Sequence, residues 1–140
     1  VYRIPSIQRD GVYYSPLKGT TVRQLQSNTE EADALRSQLG SFIAQLHESG
    51  VYFRSLHFGN VVLTPDHNLG LIDIADLRCQ KRALSDNKRL RNFAHLLRYK
   101  EDRQWLLGQD AGVTFLEGYR QALPDNRQAP LIERLRPLLG

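Results

Sequence analysis

The sequence is poor in sulfur and has no long apolar run. Its 140 residues include one cysteine, Cys79, and no methionine. A single cysteine excludes an internal disulfide, which fits a reducing compartment. No apolar run approaches the ~18 residues that a membrane-spanning helix needs, and the chain does not open on a signal-peptide pattern. We therefore expect a cytoplasmic protein.

The charge balance is basic, with a formal net charge of +4. Such a charge suits a polyanionic partner, such as a nucleotide, a phosphorylated glycan or an anionic membrane surface. Much of the charge lies in residues 78–91, which would also suit a plain solvated helix and loop face. We expect no nucleic acid as partner, because no aromatic–basic interleaving or zinc-ligand spacing accompanies the cluster.

Apolar periodicity predicts a mainly helical chain. One stripe at helical spacing comprises Leu35, Leu39, Phe42, Ile43 and Leu46. It predicts a helix over about 29–49, capped by Asn28 or Thr29 and ended by Gly50. Further helices are predicted over about 86–99, 111–123 and 131–139. Near the N-terminus, a short strand breaks at Pro16 and Gly19, and Thr20 or Thr21 caps a short helix.

A β-hairpin is predicted between the long helix and the later ones. Two branched apolar runs, Val61–Leu63 and Leu69–Ile74, flank the turn composition TPDHN. Asn60 enters the first strand and Asp73 leaves the second, so the hairpin brings their side-chain oxygens together. Hard oxygen ligands of this kind are those that Mg²⁺ prefers. The alternatives are a turn-capping aspartate and a loop-bracing amide.

The segment FRSLHFGN, Phe53 to Asn60, resembles the catalytic loop of protein kinases, H-R-D-L-x-x-x-N. His57 and Gly59 match the form found in aminoglycoside phosphotransferases and related small-molecule kinases. The later LIDIADLR is similar to the metal-binding strand of those kinases. Among these families the chain most resembles the lipopolysaccharide kinases, which phosphorylate Kdo or heptose sugars of the lipopolysaccharide core and include relatives labelled toluene-tolerance proteins. The resemblance covers about Val12 to Tyr99.

This resemblance implies a nucleotide site that uses ATP and Mg²⁺. The implied site residues are Asn60 and Asp73 as metal ligands, Ser55 at the catalytic-base position, His57 near the γ-phosphate, and Tyr14 and Leu17 in the hinge beside the adenine. The alternative for His57 is a brace of its own loop. For Arg91 and Arg98 a sugar-phosphate site competes with a solvated helix face.

The departures from the kinase pattern weigh as much as the matches. Ser55 replaces the aspartate and has no carboxylate to accept a substrate proton. General-base help is worth roughly 10²–10⁴-fold, so the change predicts a crippled enzyme or a pseudokinase. Phe53 replaces the usual histidine, and Asp76 is a spare carboxylate that either assists or caps the turn.

The kinase Gly-rich loop and lysine strand do not appear, and position 1 is not methionine. We therefore expect a piece of a longer chain, in which an N-terminal lobe is missing. The predicted fold is α+β, mainly α: a protein-kinase-like C-terminal lobe whose small β-hairpin carries the active-site loop. Residues 1–140 would form one domain, with 1–19 hinge-like and 20–140 the helical lobe.

Two functions remain open at this stage. The first is an ATP-dependent phosphotransferase or degenerate pseudokinase that acts on, or regulates, phosphorylation of a lipopolysaccharide core sugar, with the inner-membrane surface as a further contact. The second is a non-catalytic helical module whose basic face docks to a membrane surface or a protein. Binding of Mg-ATP near Asp73 separates the two.

Overall fold

The computed structural model describes residues 19–139, and within residues 1–18 only the backbone of four short strands. The strands are β1 (Tyr2–Arg3), β2 (Ile7–Gln8), β3 (Gly11–Val12), β4 (Ser15–Pro16), β5 (Thr20–Thr21), β6 (Val51–Phe53), β7 (Val61–Leu63), β8 (Leu69–Leu71) and β9 (Leu77–Cys79). The helices are α1 (Val22–Leu25), α2 (Ala32–Glu48), α3 (Asp86–Leu96), α4 (Lys100–Leu107), α5 (Val113–Gln121) and α6 (Asp125–Leu139), with a 3-10 turn at Phe58–Asn60. The predicted class, α+β and mainly α, is confirmed.

The predicted hairpin is confirmed as β7 and β8, which are antiparallel with Val61 opposite Leu71. Strand β5 extends it to three strands by pairing with β7, while β1 pairs with β4 and β2 with β3. The second hairpin strand ends at Leu71 and not at Ile74, because the chain turns away at Asp73, whose φ is 55°. A separate antiparallel pair, β6 with β9, was not predicted and sets Phe53 opposite Leu77.

Helices α2 and α5 form the centre of the fold, and two glycines bring them together. A Cβ at Gly118 would lie 2.1 Å from the backbone oxygen of Ser37. A Cβ at Gly40 would lie 2.2 Å from the backbone oxygen of Phe115. Any larger side chain at either position would force the two backbones apart, so the close packing depends on both glycines.

The predicted stripe on α2 faces the core, with Leu35, Leu39 and Ile43 buried. The predicted cap is wrong, because α2 begins after Glu31, which has a φ of 58° and makes no side-chain cap bond. The Asn28 side chain instead accepts a hydrogen bond from the Glu30 N–H at 3.0 Å, in the turn before the helix. The end of the helix is as predicted, since Gly50 has a φ of 82°.

The cap of α1 is confirmed as Thr21, whose hydroxyl accepts from the Gln24 N–H at 3.2 Å. The three later predicted helices correspond to α3, α5 and α6, although α6 begins six residues earlier than expected, at Asp125. Helix α4 was not predicted, and its first five residues, Lys100 to Gln104, are all polar.

A chain of buried polar side chains crosses the core between α2, α3 and α5. Arg89 donates to the Tyr119 hydroxyl at 3.1 Å, and Tyr119 donates to His47 Nδ1 at 2.9 Å. His47 Nε2 then donates to the Asn92 side-chain oxygen at 2.8 Å, and Asn92 Nδ2 donates to the Phe53 carbonyl at 2.8 Å. The chain of donors therefore ends on the Phe53 carbonyl, immediately before the loop from Arg54 to Asn60.

Candidate active site

Apolar packing anchors the loop from Arg54 to Asn60. Leu56 and Phe58 are buried, and the Phe58 ring meets Trp105 of α4 edge-on, with 5.5 Å between ring centroids. The Leu56 N–H donates to the Phe53 carbonyl at 3.0 Å and closes the first turn of the loop. The loop is thus anchored at both Leu56 and Phe58, while Arg54 remains exposed.

Asn60 and Asp73 lie next to each other across the base of the hairpin. The Ile72 N–H donates to the Asn60 carbonyl at 2.9 Å, and Asp73 is the next residue. Asn60 is buried and donates its Nδ2 to the Ser55 carbonyl at 3.0 Å, a bond that uses the amide nitrogen and not the side-chain oxygen. Asp73 is exposed and has a left-handed φ of 55°, a conformation that costs free energy in a non-glycine residue.

This donor set fits a nucleotide-bound Mg²⁺. The ion usually takes one or two protein oxygens and completes its octahedron with phosphates and water. Asn60 and Asp73 offer two hard oxygens on adjacent backbone. Residues 19–139 contain no group of three or more His, Cys, Asp or Glu that would hold a metal without such help. Ligation by Asn60 and Asp73 stays a prediction.

His57 braces the loop. Its Nδ1 accepts a hydrogen bond from the Gly59 N–H at 3.0 Å and caps the 3-10 turn. Burial lowers the pKa of His57, and the cations of Arg23 and Arg98 lower it further. The ring is therefore neutral at pH 7.

Ser55 is hydrogen-bonded to Asp76. Its hydroxyl donates to Asp76 Oδ2, and both side chains are half-buried. Asp76 sits in the turn between the hairpin and β9, where the Leu77 N–H donates to the Ile74 carbonyl at 3.0 Å. A carboxylate is thus present beside the position where the kinase pattern places its aspartate.

The sequence profile of the lipopolysaccharide kinase (Kdo/WaaP) family matches residues 18–119, which is most of the chain and includes the loop and the hairpin. The chain belongs to this family. A search of curated proteins gave no match. Within residues 19–139, no helix combines the length and the apolar character that crossing a bilayer requires.

In this member of the lipopolysaccharide kinase family, Ser55 stands where kinases have the aspartate. Ser55 lines a cavity of about 390 Å³. The lining residues are Tyr52, Arg54, Ser55, Asp76, Arg91 and His95. Arg91 thus lines this cavity and is also exposed, so both of its predicted roles stay open. Arg98 does not line this cavity and instead stacks on Tyr99, 4.7 Å from the ring centroid.

Helix α4, which the sequence analysis did not predict, also supports the loop from Arg54 to Asn60. Its buried Asp102 accepts from Arg23 at 2.7 Å and from Gln26 at 2.8 Å, so it ties α1 to α4. Its Trp105 supports Phe58. The available signal was the spacing of Asp102, Trp105 and Leu106, the buried residues of α4, at helical intervals.

Tyr14 and Leu17, the predicted adenine contacts, lie outside the described residues. Cys79 is exposed, and partial desolvation raises the pKa of its thiol. Of the aromatic side chains on the later helices, Trp105, Phe115 and Tyr119 are buried, but Tyr99 is 45% exposed.

Proposed function

We propose that the protein carrying this chain is an ATP-dependent phosphotransferase that phosphorylates a sugar hydroxyl of the lipopolysaccharide core. The family match supports a kinase-like function related to lipopolysaccharide. The observation that carries the proposal is the adjacency of Asn60 and Asp73, joined through the 2.9 Å bond from the Ile72 N–H to the Asn60 carbonyl. Protein kinases hold their Mg²⁺ with an asparagine of the catalytic loop and an aspartate of the following metal-binding motif, the same two residue types.

Asn60 and Asp73 would hold the Mg²⁺ of Mg-ATP, and the bound ion neutralises charge on the β- and γ-phosphates. The chain itself contributes position. Asn60 fixes the Ser55 carbonyl at 3.0 Å, His57 caps the 3-10 turn, and Asn92 holds the Phe53 carbonyl at 2.8 Å. Because phosphoryl transfer depends mainly on positioning and electrostatics, such bracing is the main task of the protein.

The hinge would complete the nucleotide site. By resemblance, Tyr14 and Leu17 border the adenine, and an N-terminal lobe covers the phosphates.

Ser55 favours a second candidate, a pseudokinase that binds Mg-ATP and regulates lipopolysaccharide phosphorylation without transferring the phosphoryl group. A serine hydroxyl is no base at pH 7. The two candidates share the nucleotide site and differ in turnover.

Binding of Mg-ATP to the full-length gene product tests the nucleotide site. The Asp73→Ala variant should bind Mg-ATP at least about tenfold more weakly by titration calorimetry, in the range seen when metal-site groups are removed. Asp125→Ala is the control, because Asp125 is exposed and starts α6, away from the loop and the hairpin. Equal affinity in wild type and Asp73→Ala would refute the site, and no binding in the wild type would favour the non-catalytic module.

A further inference from the structure

The cavity beside Ser55 is lined by polar and charged side chains that have no role in the proposed nucleotide site. Of its lining residues, Arg54 and Arg91 are exposed cations, and Ser55, Asp76 and His95 are half-buried. Its volume of about 390 Å³ falls in the range of small-molecule sites. The two arginines suit an acceptor sugar that carries a carboxylate or phosphate.

Two buried polar atoms of this cavity have no hydrogen-bond partner among the described residues. They are Asp76 Oδ1 and His95 Nε2. Buried polar atoms are nearly always paired, so an unpaired one calls for an explanation such as a ligand or a catalytic role. Both unpaired atoms belong to side chains that line the same cavity, and the Asp76 charge acts on the His95 ring.

The bond between Ser55 and Asp76 has a direction. The Ser55 hydroxyl donates its hydrogen to Asp76 Oδ2, so the serine oxygen keeps lone pairs with which to accept another hydrogen. A hydroxyl bonded in this way can pass a proton to the carboxylate while it receives one. Serine alone lacks this ability, because it has no group to take its proton.

We propose that Ser55 and Asp76 act together as the proton acceptor for the sugar hydroxyl, with Ser55 relaying the proton to the Asp76 carboxylate. This inference rests on the proposed phosphotransferase function and assigns the role that the missing aspartate would have. Ser55 thereby belongs to a working site, and the chain is not a pseudokinase.

The step balances as follows. The acceptor hydroxyl oxygen forms a bond to the γ-phosphorus of ATP, and the bond from that phosphorus to the β–γ bridging oxygen breaks, which releases ADP. The hydroxyl proton passes to the Ser55 oxygen, and the original Ser55 proton passes to Asp76 Oδ2. The products are the sugar phosphate, ADP and a protonated Asp76, which returns its proton to water.

The test uses the full-length gene product, radiolabelled ATP and purified lipopolysaccharide as acceptor. The variants are Asp76→Asn, Ser55→Ala, the double variant of both, and the exchange Ser55→Asp with Asp76→Ser. Asp125→Asn serves as a matched carboxylate-to-amide control on α6. Each protein is also measured for Mg-ATP affinity and thermal stability.

We expect Asp76→Asn and Ser55→Ala each to lower kcat by roughly 10²–10⁴-fold, the usual worth of general-base help, with Mg-ATP affinity unchanged. The double variant should be no slower than either single one, because members of one relay act as a unit. The exchange variant should recover most of the lost rate, since it restores a carboxylate and a hydroxyl to the same pair of positions. A merely structural Asp76 would not produce that recovery.

Three results would overturn the inference. The first is full activity in Asp76→Asn, and the second is an exchange variant as slow as Asp76→Asn. The third is a wild type that binds Mg-ATP without transferring phosphate to lipopolysaccharide, which would support the pseudokinase and leave the nucleotide site standing. Failure of the wild type to bind Mg-ATP is a different outcome, because it overturns the proposed function itself.

Discussion

At the scale of single residues, the buried side chains explain how the loop tolerates Phe53. The kinase pattern has a histidine there, which supplies a polar support to the loop. In this chain the Phe53 ring is buried in the core, and the support comes from Asn92, which donates to the Phe53 carbonyl at 2.8 Å. Asn92 is itself fixed by His47, so the loop is coupled to the protonation of a buried ring.

His47 should make the protein sensitive to mild acid. Burial lowers the pKa of His47 from 6.5 to about 4, and the Arg89 cation adds to the effect, although the bond to Asn92 opposes it. As the pH falls, His47 is therefore protonated near pH 6.5 in the unfolded chain but only near pH 4 in the folded chain. The contribution of neutral His47 to the free energy of unfolding is at its full value above pH 6.5. It falls as the pH drops from there to about 4, by an amount on the order of 3 kcal/mol.

Urea unfolding at a series of pH values in that window measures this effect. The His47→Gln variant should have a lower free energy of unfolding at neutral pH and a flatter pH dependence than the wild type. His67→Gln is the control, because His67 is exposed in the hairpin turn. Parallel pH curves for wild type and His47→Gln would contradict the assignment.

At the scale of elements, the contact between α2 and α5 positions the residues that support the loop from Arg54 to Asn60. Helix α2 carries His47 and leads into β6 and the loop, and α5 carries Tyr119 from the other side. Gly118 and Gly40 allow the two backbones to approach. Glycine normally weakens a helix by about 1 kcal/mol relative to alanine, so its use here reflects packing.

Gly118→Ala should therefore destabilise the protein, although alanine is the better helix former. The new Cβ would lie 2.1 Å from the Ser37 backbone oxygen, and no side-chain rotation can relieve that contact. We expect a loss of about 1–3 kcal/mol in the free energy of unfolding, as for other overpacked cores. Val113→Ala on the same helix is the control, because Val113 is 62% exposed and should change the free energy by less than about 0.5 kcal/mol. A Gly118→Ala variant as stable as the wild type would mean that the helices do not pack this closely.

The elements differ in how well the sequence predicts them. Helix α2 and the hairpin have strong local signals, namely an apolar stripe and two branched runs around a turn. Strands β6 and β9 are three residues each and lie 23 residues apart, so their pairing depends on tertiary contacts that no local pattern encodes. Helix α4 is polar over its first five residues, and its buried face includes an aspartate, Asp102, that pairs with Arg23.

At the scale of the whole molecule, the candidate site also has one part that the sequence predicts and one part that it does not. The adjacency of Asn60 and Asp73 was predictable, because it follows from hairpin topology. The bond between Ser55 and Asp76 was not, since it depends on how the turn after the hairpin folds back towards the loop. Asp76 could be suspected only as a spare carboxylate, and the cavity that it lines with His95 and Arg91 has no signature in the sequence.

The most direct measurement is transfer of the labelled γ-phosphoryl group from ATP to purified lipopolysaccharide by the full-length protein, with wild type and Asp73→Ala compared side by side. The account predicts Mg²⁺-dependent labelling of lipopolysaccharide by the wild type. It predicts a loss of at least about a hundredfold in Asp73→Ala, because the ion that neutralises the transferring phosphate is lost. Equal labelling by the two proteins, or labelling that does not depend on Mg²⁺, would contradict the account.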